Sequence, residues 1–223
     1  MKNKRFIIAN NDGVSEWVEN FYNKYLPDSG IFVEIGVGHT IDRHWGREDT
    51  LRAVKNKEKI HKRCGSNTLD LLDYGFFGVY IEPIIEFCCE LELITGGKKN
   101  KILNYGCSDK EEILSLYGGE TFVPNRHLTW PGGVDYIGRE VKCNTLSNIL
   151  DDEKINCDNN IALMSLDAEG WEMKILKGMR KEHMPKMMIV EIDKKPEIVD
   201  FLLERGYELC HRDNRDAGLV KIR

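Results

Sequence analysis

A chain of 223 residues is long enough for one well-buried α/β domain, and 41% apolar residues is ordinary for a packed core. A formal net charge of −5 argues against general nucleic-acid binding, and no apolar run approaches the ~20 residues of a membrane span. Seven cysteines, odd in number and without a C-x-x-C pair, predict reduced thiols in a cytoplasmic protein rather than a disulfide framework.

The N-terminus is basic, but its apolar stretch is too short for a signal peptide. Residues 14–26 carry Val14, Trp17, Val18, Phe21, Tyr22 and Tyr25 at helical spacing. They predict an amphipathic helix covering one face of the domain, ended by Pro27 and Gly30, with its aromatics in the core rather than against a ligand. Strand-like runs then recur at 31–35, 78–82, 101–105, 161–166, 187–192, 207–211 and 218–222. Helical patterns at 68–75, 84–94, 145–151, 169–179 and 196–205 separate many of them. This alternation predicts a single α/β domain over 1–223: a mostly parallel, Rossmann-like sheet with helices on both faces. Gly206 and Gly218 suggest that the last two strands close as an antiparallel hairpin at the sheet edge.

Two stretches interrupt the rhythm. Residues 41–64 hold eight basic residues against four acidic ones, a local +4 in an acidic chain. The stretch reads as an insertion and a substrate lid that would steer an anionic acceptor. Residues 117–140 are rich in Gly, Pro and aromatics, including Tyr117, Phe122, Trp130 and Tyr136, and read as a substrate loop.

In an open parallel sheet, ligands bind beyond the carboxyl ends of the strands, where chain order reverses. The first such end is Glu34-Ile-Gly36-Val-Gly38, where glycines let a ligand approach the backbone. The G-x-G-x-x-G dinucleotide fingerprint is absent here. The second is Glu82-Pro83, an acid placed where a carboxylate accepts from both hydroxyls of a ribose. Together they predict a site for a nucleoside-containing cofactor. The third is Ser108-Asp109, where Asp109 either N-caps a helix from Lys110 or accepts from an adenine amine. The fourth is Asp167-Ala-Glu169-Gly170-Trp-Glu172 after a buried strand. Asp167 falls where such sheets present catalytic groups; Glu169 and Glu172 sit where a helix N-terminus favours carboxylates.

In this order the pieces resemble the FkbM family of S-adenosylmethionine-dependent methyltransferases. The resemblance extends to Gly65-Ser-Asn-Thr68, to the helix start Thr145-Leu-Ser-Asn-Ile-Leu150, to Ile175-Leu-Lys-Gly178 and to Val190-Glu191-Ile192, and covers roughly 31–193. The sequence departs from the family pattern at Gly38, where the family has Asn, and in the 41–64 insertion; Asn67 is placed to take over part of the missing residue's role. The resemblance implies S-adenosylmethionine as cofactor, held by Glu34, Gly36, Gly38, Asn67, Glu82, Ser108, Asp109 and Asp167. Glu34 would face the cofactor's amino group, Glu82 its ribose and Asp109 its adenine. Asp167 would stand where donor and acceptor meet.

The implied reaction is methylation of a small-molecule or glycan hydroxyl by in-line displacement, with no nucleic-acid or membrane partner. A hydroxyl acceptor needs a base. Asp167 is the first candidate, with His39 and then His44 behind it; both histidines also read as solvated loop residues. No metal is expected, a site on Asp167 with Glu191 or Asp193 being the minor alternative. His61, Cys64, Cys88 and Cys89 have poor spacings for zinc and read better as buried thiols. The rival readings are an N-methyltransferase on a peptide or amide, a dinucleotide-dependent Rossmann protein, and a non-enzymatic nucleoside binder.

Overall fold

Alternating apolar residues give the sheet its two faces. In β1 (Ile31–Ile35) and β2 (Phe77–Ile81), Val33, Ile35, Val79 and Ile81 point to one core, while Phe32 and Tyr80 point to the other. β7 (Ile161–Leu166) and β8 (Met187–Glu191) repeat the pattern, with Met164, Leu166, Met188 and Val190 on the first face and Leu163, Met187 and Ile189 on the second. A strand buried on both faces needs helices on both. A computed structural model, which describes residues 6–7, 15–38, 66–116, 139–157, 160–192 and 195–222, supplies them.

On one side lie α1 (Ser15–Tyr25), a 3₁₀ helix (Leu69–Tyr74) and α2 (Ile85–Thr95), which bury Val18, Phe21, Tyr22, Leu71, Leu72 and Leu91. On the other lie α3 (Leu146–Asp152), α4 (Glu172–Gly178) and α5 (Pro196–Leu203), which bury Leu146, Leu150, Ile175, Leu176, Ile198 and Leu202. Each fully buried Leu or Ile stabilises the fold by roughly 1.5–3 kcal/mol relative to exposure. As expected, the aromatics of α1 join the core; Trp17 also stacks on His211 at 4.1 Å.

With β3 (Asn100–Leu103), β9 (Tyr207–Arg212) and β10 (Asp216–Lys221), the main sheet has seven strands in the order β3-β2-β1-β7-β8-β10-β9. The first five are parallel and the final two form the antiparallel hairpin. This is the expected Rossmann-like architecture, and chain order reverses between β1 and β7.

Four local expectations change. Gly218 lies inside β10, where a Cβ would come 3.0 Å from the Trp17 ring, so the hairpin turn is 213–215 and not a glycine. The 68–75 helix is a 3₁₀ segment, and the helix expected from 169 begins only at Glu172. No helix follows Asp109: the chain instead enters a three-stranded sheet with the order β4 (Gly106–Cys107), β6 (Arg139–Asn144), β5 (Glu112–Leu116). No described helix is long and apolar enough to cross a membrane.

Candidate active site

The carboxyl ends of β1, β2 and β7 are tied together by backbone. Gly36 N–H donates to Ile81 O at 3.1 Å, and Asp167 N–H donates to Ile35 O at 3.1 Å. Gly36 has φ +78°, and a Cβ there would lie 1.7 Å from the carbonyl oxygen of Asp167. Only glycine lets these two strand ends meet. Gly38 also has positive φ, +63°, but a Cβ on it would meet nothing within 4 Å among the described residues. The first glycine closes the sheet, and no described residue crowds the second.

Glu82, buried directly after β2, crosses to the Gly turn. Its Oε2 accepts from Val37 N–H at 3.1 Å and Gly38 N–H at 3.3 Å, and its Oε1 accepts from Ile84 N–H at 2.9 Å. The end of β3 is fixed to the same spot, with Asn104 Nδ2 donating to the backbone oxygens of Glu82 and Pro83 at 3.0 and 2.9 Å.

Glu34 lies within β1, opposite Tyr80 and Ser165, rather than at its end. Its buried carboxylate holds the segment 66–68. Oε2 accepts from Ser66 Oγ at 2.5 Å and Thr68 Oγ1 at 2.6 Å, and Oε1 accepts from Asn67 N–H at 2.9 Å. Burial pushes the Glu34 carboxyl up to about 7 despite these donors, which pull it down. Asn67 spans the switch point: Nδ2 donates to Ser165 Oγ at 3.1 Å, and its carbonyl accepts from Tyr22 Oη at 2.7 Å. Glu34, Asn67 and Ser165 thus form one polar island on the α1 side of the sheet.

Ser108 and Asp109 belong to a second group. The buried Ser108 hydroxyl donates to Glu112 Oε1 at 2.6 Å, while Asp109 is exposed. A Cβ on Gly178, at the end of α4, would come 2.7 Å from Ser108 O, 2.8 Å from Asp109 Cα and 3.3 Å from Thr145 Cγ2. Three motifs far apart in sequence therefore meet at one packing point. Thr145 also caps α3 by accepting from Asn148 N–H at 3.1 Å. This group joins the first through the chain running on from β3.

The turn after β7 is organised by Glu172 rather than by Glu169. Buried Glu172 Oε1 accepts from Ala168 N–H at 3.0 Å and Gly170 N–H at 2.9 Å, and its Oε2 lies 3.5 Å from Lys195 Nζ. Glu169 takes φ +49° and Gly170 φ +104° to make the turn. Asp167, Glu169 and Glu191 bring carboxylate oxygens within 4.8 Å of one another. Among the described residues, a guanidinium meets two of these acids. Arg215, in the β9–β10 turn, donates from Nη2 to Asp167 Oδ2 at 3.0 Å and from Nε to Glu191 Oε1 at 3.1 Å. Burial, then the facing Asp167 and Glu169 charges, push the Glu191 carboxyl up to about 8, and Arg215 opposes them.

Sequence reasoning missed Arg215, Glu172's role and Ser165. His39, His44, Asp193 and the 41–64 stretch lie outside the described residues, as does most of 117–140. A cavity of about 500 Å³ opens elsewhere, along the β3 edge against β6, lined by Pro83, Lys101, Tyr105, Lys142 and Glu153 among others.

Residues 64–209, well over half of the chain, match the model of the methyltransferase FkbM domain. No match is found among curated proteins. The family match spans Glu82, the Ser108–Thr145–Gly178 packing point and the Asp167 turn, and the sheet brings the preceding Gly36 turn onto them. The chain belongs to the FkbM family of methyltransferases.

Proposed function

We propose that this methyltransferase takes its methyl group from S-adenosylmethionine and passes it to the hydroxyl of a small molecule or glycan. The observation that carries the reading is the convergence of the Gly36–Gly38 turn, Glu82 and Asp167 at the switch point. The residues fit such a cofactor: no described residue crowds Gly38, and an acid follows each of β2 and β7. Glu34, Gly36, Gly38, Asn67, Glu82, Ser108, Asp109 and Asp167 would hold it. Glu34 contributes through the 66–68 segment, whose donors engage both of its oxygens. Glu82 shapes the turn that a ribose would approach.

When bound, the sulfonium supplies a methyl group on a good leaving group. The chain has two tasks: alignment, and removal of the acceptor's proton. Asp167 is the proposed base because it follows β7 directly at the switch point and its side chain is 31% exposed, within reach of solvent and substrate. His39 remains the second candidate.

Gly38, held on Glu82, and Ser66, held on Glu34, are the described residues on either side of the basic 41–64 stretch. The basic composition of 41–64 supports an anionic acceptor. Shortening 41–64 would then weaken the preference for charged over neutral acceptors, and an unchanged preference would remove the idea. The odd cysteine count supports a cytoplasmic location.

Calorimetry with S-adenosylmethionine, S-adenosylhomocysteine and NAD tests the cofactor. Binding of either methionine nucleoside supports the reading, and binding of NAD alone would overturn it in favour of a dinucleotide protein. Asp167→Asn should then lower turnover far more than cofactor affinity. Equal losses would make Asp167 a cofactor-positioning group.

A further inference from the structure

Asp167 stands in a strongly acidic neighbourhood. Glu191 ends β8, Glu169 belongs to the β7–α4 turn, and Asp216 and Asp213 come from the β9–β10 hairpin, with His211 beside Asp213. Glu34 adds charge from inside β1, and Glu172 is engaged with Lys195. Burial raises both Glu191 and Asp216, the latter to about 6. Left alone, such acids repel one another, and a carboxylate that must accept a proton from substrate has nothing to hold it in place.

One cation faces two of these acids at once. The Arg215 guanidinium uses different nitrogens for Asp167 and Glu191, a fork that a lysine cannot reproduce. The turn carrying it is built in advance. Asp213 Oδ1 accepts from the backbone N–H groups of Arg215 and Asp216 at 2.8 and 2.7 Å, and Ile192 N–H donates to Arg215 O at 2.6 Å. The hairpin is thereby fastened to the end of β8 independently of the Arg215 side chain. The Glu191 side chain is 11% exposed and that of Arg215 62% exposed, so the clamp meets the acid from the solvent side.

We propose that Arg215 is a positioning residue for methyl transfer, fixing the Asp167 carboxylate against Glu191 at the mouth of the switch point. The proposal rests on the reading of Asp167 as the base. Without the clamp the two carboxyls lose the donor that holds them side by side, and Asp167 is no longer poised.

The test uses the full chain labelled with ¹³C at its carboxyl groups, as wild type, Arg215→Gln and Arg215→Lys. Because the backbone bonds of residue 215 do not need its side chain, these variants should fold. Removing the cation should raise the Glu191 titration midpoint by about one unit, with the lysine variant in between. With a methyl acceptor in hand, the acid limb of the kcat/KM profile should shift upward in the glutamine variant. Affinity for S-adenosylhomocysteine should stay within about twofold. A Glu191 titration unmoved by Arg215→Gln would overturn the proposal, as would a loss of S-adenosylhomocysteine affinity as large as the loss of turnover. If the titration moves and the rate profile does not follow, the clamp stands as electrostatics and the assignment of Asp167 as base falls.

Discussion

Gly36 and Gly38 share a positive φ and differ in what surrounds them. A side chain on Gly36 would overlap the Asp167 carbonyl, a backbone atom that cannot yield, whereas one on Gly38 would meet none of the described residues. Gly36→Ala should therefore cost at least ~3 kcal/mol in urea unfolding, and Gly38→Ala only about 1 kcal/mol for its left-handed backbone. Equal costs would contradict the packing described. Glu34 gives a second expectation at this scale. Its folded value is raised, so the folded chain binds more protons than the unfolded one between about pH 4.5 and pH 7. The stability it contributes is fully present below that window and is lost as pH rises through it. Glu34→Gln lacks the ionisation, so it should match wild type near pH 4.5 and gain on it by up to ~3 kcal/mol above pH 7. A stability difference that does not vary with pH would refute this. Glu34, Gly36, Glu82 and Asp167 were legible in the sequence because each sits at or beside the end of an apolar run. Arg215 was not: an arginine in a polar turn has no local signal, and its partners lie 24 and 48 residues away.

Among the elements, the β7–α4 connection joins fold to chemistry. Its two unusual φ values are stabilised by Glu172, which reaches back from α4 to take two loop N–H groups. Glu172→Ala would leave those donors without their acceptor, at a cost of about 1–3 kcal/mol. The amides of Ala168 and Gly170 should then exchange faster with deuterium than those of β7, and unchanged exchange would show that the turn holds itself. In sequence, Glu169 and Glu172 were equivalent acids near a helix start; only the late start of α4 separates their roles. The small β4-β6-β5 sheet was also hidden. One of its strands has two residues, and the other two are separated by a long Gly- and Pro-rich stretch, so neither periodicity nor proximity betrays the pairing. Gly178 was legible only as part of a family motif, and its physical reason is the close approach of the Ser108–Asp109 backbone.

For the whole molecule, strand order and site placement follow from one fact: β1 is flanked by β2 and β7. The alternating sequence pattern predicted the parallel sheet and its two helical layers, since strands buried on both faces admit few other arrangements. The same topology places the Gly turn, which precedes the family match, on the residues within it. The central claim is that S-adenosylmethionine binds at this switch point. It is tested most directly by following backbone amides in ¹H–¹⁵N NMR while adding S-adenosylhomocysteine or NAD. S-adenosylhomocysteine should shift Val37, Gly38, Asn67, Asp109 and Asp167, and NAD should not. Shifts confined to the cavity along β3, around Lys101 and Glu153, or no shifts at all, would contradict it.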